Sequence, residues 1–334
     1  MENKKVKVSA LNLVPQFQGE TTIEAINRAV DLAKILEDLD YYRYWVAEHH
    51  NFRGVVSSAT ALLIQHILSN TKKIKVGAGG VMLPNHSPLQ VAETYGTLET
   101  LYPHRVDLGV GRAPGTDAET ASLIYRQKYA NIHNFMEDIL QLERYFGSEE
   151  EQGVVIANPG INTNVPIIIL GSSTSSAYIA AELGLPYSFA THFAPAMAEE
   201  ALSIYRKHFK ASKYLDKPYF ILGVLAHGAD TDEEAKRLST TQIQSFLNII
   251  TSNPQGMVPP VQSEEAVWKN YIATTKVPHF GPIAFEHDEI VDHERSVVNQ
   301  MTKISFIGNK ETVKNQILDL KRRVEFDELM INSY

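Results

Sequence analysis

Short apolar runs alternate with amphipathic patterns from one end of the chain to the other, an order that predicts parallel strands joined by crossover helices. Eight runs read as strands, over residues 6–14, 42–48, 73–83, 105–111, 165–170, 186–191, 219–228 and 327–332. Between the first two, Ile23, Ile26, Val30, Ala33 and Leu36 recur at helical spacing, and comparable helices follow most of the other runs. Eight βα units predict a closed (β/α)8 TIM barrel rather than an open doubly wound sheet. The stretch 81–115 shows the unit clearly. A β-branched and glycine run is broken by Pro84-Asn85-His86, and Ser87-Pro88 then supplies an N-cap and the proline favoured at the first helical position. Leu89, Ala92, Tyr95, Leu98 and Tyr102 follow at helical spacing, Pro103 stops the helix, and 105–111 is the next strand. Polar groups collect where strands end, His86 after one and Arg112 after the next, the edge at which parallel α/β folds bind ligands.

Three stretches depart from a minimal barrel. Residues 148–164 form an excursion before the fifth strand, read as a small hairpin carrying Val154 to Ile156. Residues 251–300 form a long insertion between the seventh and eighth strands, expected to be irregular and to act as a lid. The chain stops at Tyr334 straight after the eighth strand, so the helix that usually closes a barrel is expected to be missing. The expectation for domains is a single barrel over 1–334, with 251–300 as its lid.

At 334 residues and 44% hydrophobic content the chain can bury a sizeable core. Thirty-one Lys and Arg against 39 Asp and Glu leave a net charge of −8, which argues against nucleic acid or an anionic membrane as a general partner. Without cysteine there are no disulfides, thiolate metal sites or thiol nucleophiles, a composition compatible with a cytoplasmic protein. No apolar run approaches the roughly 18 residues of a membrane span.

Glu48-His49-His50 closes the second strand, and alternation puts Glu48 and His50 on one face and His49 on the other. A strand-end histidine in a pocket can move protons in either direction; the plainer reading is a hydrogen-bonded pair at the rim. His86, His104, His192 and His227 lie near other strand ends or turns, and with Glu48 and His49 they could be assembled into a metal site. No HxH or HExxH spacing supports one, so metal is not expected, and Glu48, His86, His192 and His227 are placed at the rim or in a substrate pocket. Gly171-Ser172-Ser173-Thr174-Ser175-Ser176 joins the fifth strand to a helix, a natural anion site, and Arg112 on the neighbouring strand end offers the bidentate partner a phosphate prefers. Gly171, Ser172, Ser173 and Ser176 are the candidates there, against the reading of Ser173 or Thr174 as a simple N-cap. Gly77-Ala78-Gly79-Gly80 lies inside a strand and completes no dinucleotide fingerprint, so it predicts a bulge or a close approach of backbone to a flat ligand. The acidic and histidine-containing run 286–294 has groups that could bind a cation, but charge runs in long loops are usually solvated faces, and it is read as part of the lid with no chemistry assigned.

Taken together, WVAEHHNF, GGVMLPNHSPLQVAETYGTLETLYPHRVDLGVGRAPG and LGSSTSSAYIAAELGLPYSFATHFAP resemble the bacterial luciferase-like flavin monooxygenase family, most closely its alkanal monooxygenase-like subgroup. The resemblance implies FMN at the C-terminal rim, its phosphate near Arg112 and the serines, and catalysis by His49, the first histidine of the EHH motif. It places a strand-three backbone, often with a non-proline cis peptide, at Gly79-Gly80 beneath the flavin. The reactive cysteine of the light-emitting members falls near Gly111, where this chain has none. The implied activity is two-component: reduced FMN from a separate NAD(P)H-dependent flavin reductase, O2 as co-substrate, and an aldehyde or other small apolar molecule as substrate. A homodimer is the expected assembly. The alternatives are a deazaflavin-dependent hydride-transfer oxidoreductase, a non-catalytic flavin-binding protein and, third, a metal-dependent hydrolase.

Overall fold

Nine parallel strands run through the computed structural model, which describes residues 6–125, 134–251, 256–274 and 287–333. The strands are β1 (Lys7–Asn12), β2 (Arg43–Val46), β3 (Lys75–Met82), β4 (Val106–Gly111), β5 (Ile167–Gly171), β6 (Tyr187–Ala190), β7 (Phe220–Gly228), β8 (Ser305–Gly308) and β9 (Glu328–Asn332). The helices are α1 (Thr22–Asp38), α2 (Thr60–Asn70), α3 (Pro88–Leu101), α4 (Ala118–Tyr125), α5 (Phe135–Phe146), α6 (Glu149–Gln152), α7 (Thr174–Leu183), α8 (Ala198–His208), α9 (Asp232–Ile250), α10 (Glu264–Thr274), α11 (His287–Met301) and α12 (Lys310–Arg323). β1 to β7 pair in sequence order, and β9 pairs with both β7 and β1, closing an eight-strand barrel.

The ninth strand is a correction. Leu225 is in register with both Asn332 of β9 and Ser305 of β8, so β8 lies on the other edge of β7, alongside its C-terminal half. The barrel's eighth strand is the run expected over 327–332; β8, only four residues long, went unpredicted.

Hydrophobic pattern and burial agree where a strand is covered on both faces. All six residues of β4 are buried, as a near-continuous apolar run implies. Trp45, Ile168, Ile221 and Met330 point inward from β2, β5, β7 and β9 and fill the barrel, so it is packed rather than hollow. The face of α1 is shifted from the expected one: Ala25, Ala29, Val30, Ala33 and Leu36 are buried, whereas Ile23 is exposed. At the N-terminal end of the barrel, Arg43 of β2 is buried against Asp107 of β4 (2.8 Å) and Glu328 of β9 (2.9 Å). Ser9 Oγ and Tyr219 OH donate to the same Glu328 carboxylate at 2.6 and 2.7 Å.

Two further expectations change. Residues 154–156 form no hairpin; a capping box between Ser148 and Glu151 seeds the single turn α6, Gly153 (φ 81°) ends it, and Val154 is fully exposed. The insertion 251–300 is not irregular throughout: it carries α10 and α11, whose Val267, Trp268, Val291 and Val298 pack with Phe246 and Leu247 of α9 and with Leu225, while residues 256–263 are extended or irregular. The rest of that expected lid, residues 252–255 and 275–286, lies outside the described residues, as does the start of the 286–294 run. No helix among the described residues is long and apolar enough to cross a membrane.

Candidate active site

The C-terminal ends of the barrel strands open onto one cavity of about 460 Å³, within the ~300–1,000 Å³ range of small-molecule sites. Its wall is mostly apolar, with Leu11, Trp45, Met82, Leu170 and Met330 from the barrel, and Phe246 and Ile249 from α9. His49, Gly79, Arg112, Gly171, Ser172, Ser173, Ser176 and His192, eight of the expected residues, line it together.

β2 ends at Val46, and the chain turns so that His49 faces the cavity while Glu48 and His50 face away, hydrogen-bonded to each other at 2.9 Å. Burial lowers the His49 pKa to about 4, although the Glu48 charge opposes this, and its Nδ1 is buried without a partner. His192, just past the end of β6, is likewise lowered to about 4 by burial, with His49 adding to the effect. Its Nδ1 is also buried and unpartnered. Both rings are therefore neutral near pH 7, each able to donate or accept one proton.

The glycines shape the floor. The Gly79-Gly80 peptide is cis, and a bulge shifts the β3–β4 register between Gly79 and Val81. A Cβ on Gly79 would stand 2.8 Å from the Trp45 ring, so only glycine lets the backbone come this close. Gly80 is not part of the lining: its side faces Leu170 and the Gly109 backbone, within the barrel wall.

On one side of the cavity α7 begins. Ser173 stands at its N-cap without bonding the helix through its side chain, which leaves the amides of the first turn without intrahelical partners. Ser176 Oγ donates to Ser173 O (2.7 Å) and meets Tyr187 OH at 2.9 Å, fixing this turn onto β6. Arg112, one residue past β4, is exposed and has no hydrogen-bond or ion-pair partner among the described residues. A free guanidinium and an open helix N-terminus lining one cavity have the chemistry to hold a phosphate. Trp45 Nε1, His49 Nδ1, His192 Nδ1 and Asn332 Oδ1 are buried atoms of lining residues that lack partners, as a site shaped for a polar, flat-ringed ligand would show.

Three expected rim residues are not in this cavity. Glu48 and His86 line a separate space of about 210 Å³ beside α2 and α3, because the turn after Val46 sends alternate side chains to opposite sides of the rim. His227 lines a third space under α9 and α10, since β7 runs on past the cavity to pair with β8. Among the described residues no group of three or more His, Asp or Glu is placed to hold a metal ion. The pattern did not single out Trp45, Phe246, Ser188 or Asn332; for Asn332 the available signal was a polar residue at the last position of a barrel strand.

The sequence profile described as Luciferase-like monooxygenase matches residues 6–326. The chain belongs to the luciferase-like monooxygenase family. The luciferase-like monooxygenase of Escherichia coli (strain K12) is 38% identical over 332 residues, covering 99% of this chain and 92% of that protein. Among solved structures, apo-MsnO8 is similar with a TM-score of 0.81 and 28% identity, covering 99% of this chain and 93% of that one. The oxygenating constituent of 3,6-diketocamphane monooxygenase from Pseudomonas putida, solved in complex with FMN, shares the fold (TM-score 0.66, 15% identity, coverage 98% and 92%).

Proposed function

We propose that this chain is the oxygenase component of a two-component flavin-dependent monooxygenase, which takes reduced FMN from a separate NAD(P)H-dependent reductase and uses O2 to oxidise a small, largely apolar molecule such as an aldehyde. The observation that carries the reading is that the partner-free Arg112 lines the same cavity as the open N-terminus of α7. Family membership supports the monooxygenase chemistry, and the apolar wall supports the substrate class. Reduced FMN, when bound, supplies the electrons by which O2 is activated.

The protein's part is binding, orientation and proton control. Arg112 and the first-turn amides around Ser172 and Ser173 hold the phosphate, Ser176 holds that turn in shape, and the Gly79-Gly80 backbone gives a flat ring room to lie against β3. His49, neutral and poorly solvated, takes up or returns a proton at its free ring nitrogen. The apolar wall and the α9 residues Phe246 and Ile249 keep water away. The whole chain acts as one barrel domain, with 251–300 covering the site.

The test is an anaerobic titration with reduced FMN, followed by admission of O2 with and without small aldehydes. Tight binding, weakened roughly 10–100-fold in Arg112→Ala as loss of a charge-assisted pair implies, and O2 consumption that yields oxidised aldehyde, are expected. Failure of reduced FMN to bind would overturn the assignment.

A further inference from the structure

Glu48 is the neighbour of His49 in sequence, yet its side chain turns out of the main cavity and is almost wholly buried, 2% exposed. Its carboxylate accepts hydrogen bonds from four groups: Met82 N (3.1 Å), Asn85 Nδ2 (3.0 Å), the His86 ring Nε2 (2.9 Å) and the His50 ring Nε2 (2.9 Å). Burial works against the charge, but the bonds from His86, His50 and Asn85 hold the carboxyl below its usual range. An ionised carboxylate only accepts, so both imidazoles present their Nε2 proton to it. No Lys or Arg pairs with it among the described residues.

Its partners are the ends of the segments that build the site. Met82 closes β3 and lines the cavity. The Asn85 amide that donates to Glu48 also donates to Pro114 O (2.9 Å), His50 N donates to Gly115 O (3.1 Å), and Thr116 Oγ1 donates to His50 O (2.8 Å). The loop that starts with Arg112 is thus tied to the same centre. It passes so close that a Cβ on Gly115 would lie 2.8 Å from the Glu48 carbonyl oxygen and 2.9 Å from Met82 Cγ.

We propose that Glu48 is a positioning residue. By drawing the ends of β2 and β3 and the loop after β4 onto one buried carboxylate, it sets where His49 and Arg112 stand, without touching what binds between them. This rests on the reading of His49 and Arg112 given above.

Glu48→Gln keeps the shape but replaces one accepting oxygen with a donor, which two imidazole N–H groups and two amides cannot satisfy. The measurements are the affinity for reduced FMN and the rate at which O2 reoxidises it when bound, in wild type, Glu48→Gln, His49→Ala, Arg112→Ala and the two double variants. Glu48→Gln is expected to lower both affinity and rate, by up to ~10²-fold as a displaced group far from the chemistry can. It should add nothing to affinity in the Arg112→Ala background and nothing to rate in the His49→Ala background, since coupled residues are not additive. Effects that multiply unchanged onto those of His49→Ala and Arg112→Ala would show general support of the fold and overturn the proposal. Null effects of His49→Ala and Arg112→Ala themselves would instead overturn the functional reading, and this inference with it. Asn85→Ala cuts the tie to Pro114 in a milder way, so it is expected to lower affinity while leaving the rate at saturating flavin within about twofold; the reverse pattern would also overturn the proposal.

Discussion

At the scale of single residues, the histidines matter most through the form in which they are buried. His49, His192 and His227 are each lowered to about 4, chiefly by burial. The unfolded chain binds protons at these positions near pH 6.5 and the folded one does not, so between those values the unfolded state holds more protons and stability falls as pH falls. The loss begins below about pH 6.5 and is complete near pH 4, on the order of 2 kcal/mol per histidine by pH 5. Urea unfolding of the flavin-free protein at pH 7 and pH 5 should show it. His227→Asn, which lies outside the main cavity, should lose about one histidine's share less than wild type over that interval; an identical loss would show that its ring is not held neutral. His49, Arg112, Ser172, Ser173 and Ser176 share one cavity, and they stood out as candidates because each sits at a strand end or helix start where chemistry is common. Glu48, His86 and His227 sit at similar ends and serve elsewhere, because position along a strand does not reveal which side of the rim a turn will face.

At the scale of elements, α7 shows how tightly a short turn is specified. A Cβ on Gly171 would fall 1.9 Å from Ser176 Oγ, the atom that bonds Ser173 O and Tyr187 OH. Gly171→Ala should therefore push the first turn of α7 off its seat and weaken reduced FMN binding about tenfold or more, the equivalent of the ~1–3 kcal/mol that overpacking costs. Ser176→Ala loses a hydroxyl from the same turn without a collision and should cost about 1 kcal/mol of stability with a smaller effect on binding. Flavin titration separates the two, and equal affinities for wild type and Gly171→Ala would contradict the role given to this turn. The C-terminus of α7 was readable, since Gly184 adopts the left-handed conformation (φ 62°) that a helix stop favours. β8 was not readable: four residues after a helical stretch carry too little periodicity, and they become a strand only because β7 extends past β6 and offers an edge. The helices α10 and α11 were hidden for a related reason, their apolar positions making sense only against Phe246, Leu247 and Leu225.

At the scale of the whole molecule, barrel closure passes through Arg43. Its guanidinium joins β2 to β4 and β9, and although burial opposes its charge, Asp107 and Glu328 keep it protonated. Arg43→Ala would leave the buried Glu328 carboxylate without its cation and Asp107 with only Lys75 at 3.9 Å, a loss of about 3–5 kcal/mol. Combining Arg43→Met with Asp107→Asn and Glu328→Gln should recover part of it, and chemical unfolding of the variants tests both. A single unfolding transition is expected for the full chain, as one barrel domain implies; two separable transitions would assign the 251–300 segment and its helices to a unit of their own.

The sequence by itself determined the alternation of strands and helices, the barrel, and the placing of a glycine-serine turn after β5 and an arginine after β4 at strand ends. These depend on local periodicity and on residues whose backbone or charge acts over a few neighbours. Tertiary structure alone decided which strand-end groups share a cavity, the ninth strand, the packing of α10 and α11 on α9, and the gathering of His50, His86, Asn85 and Met82 around Glu48. Those outcomes depend on which segments, far apart in the chain, are pressed together when the apolar faces are buried, and no local pattern encodes that.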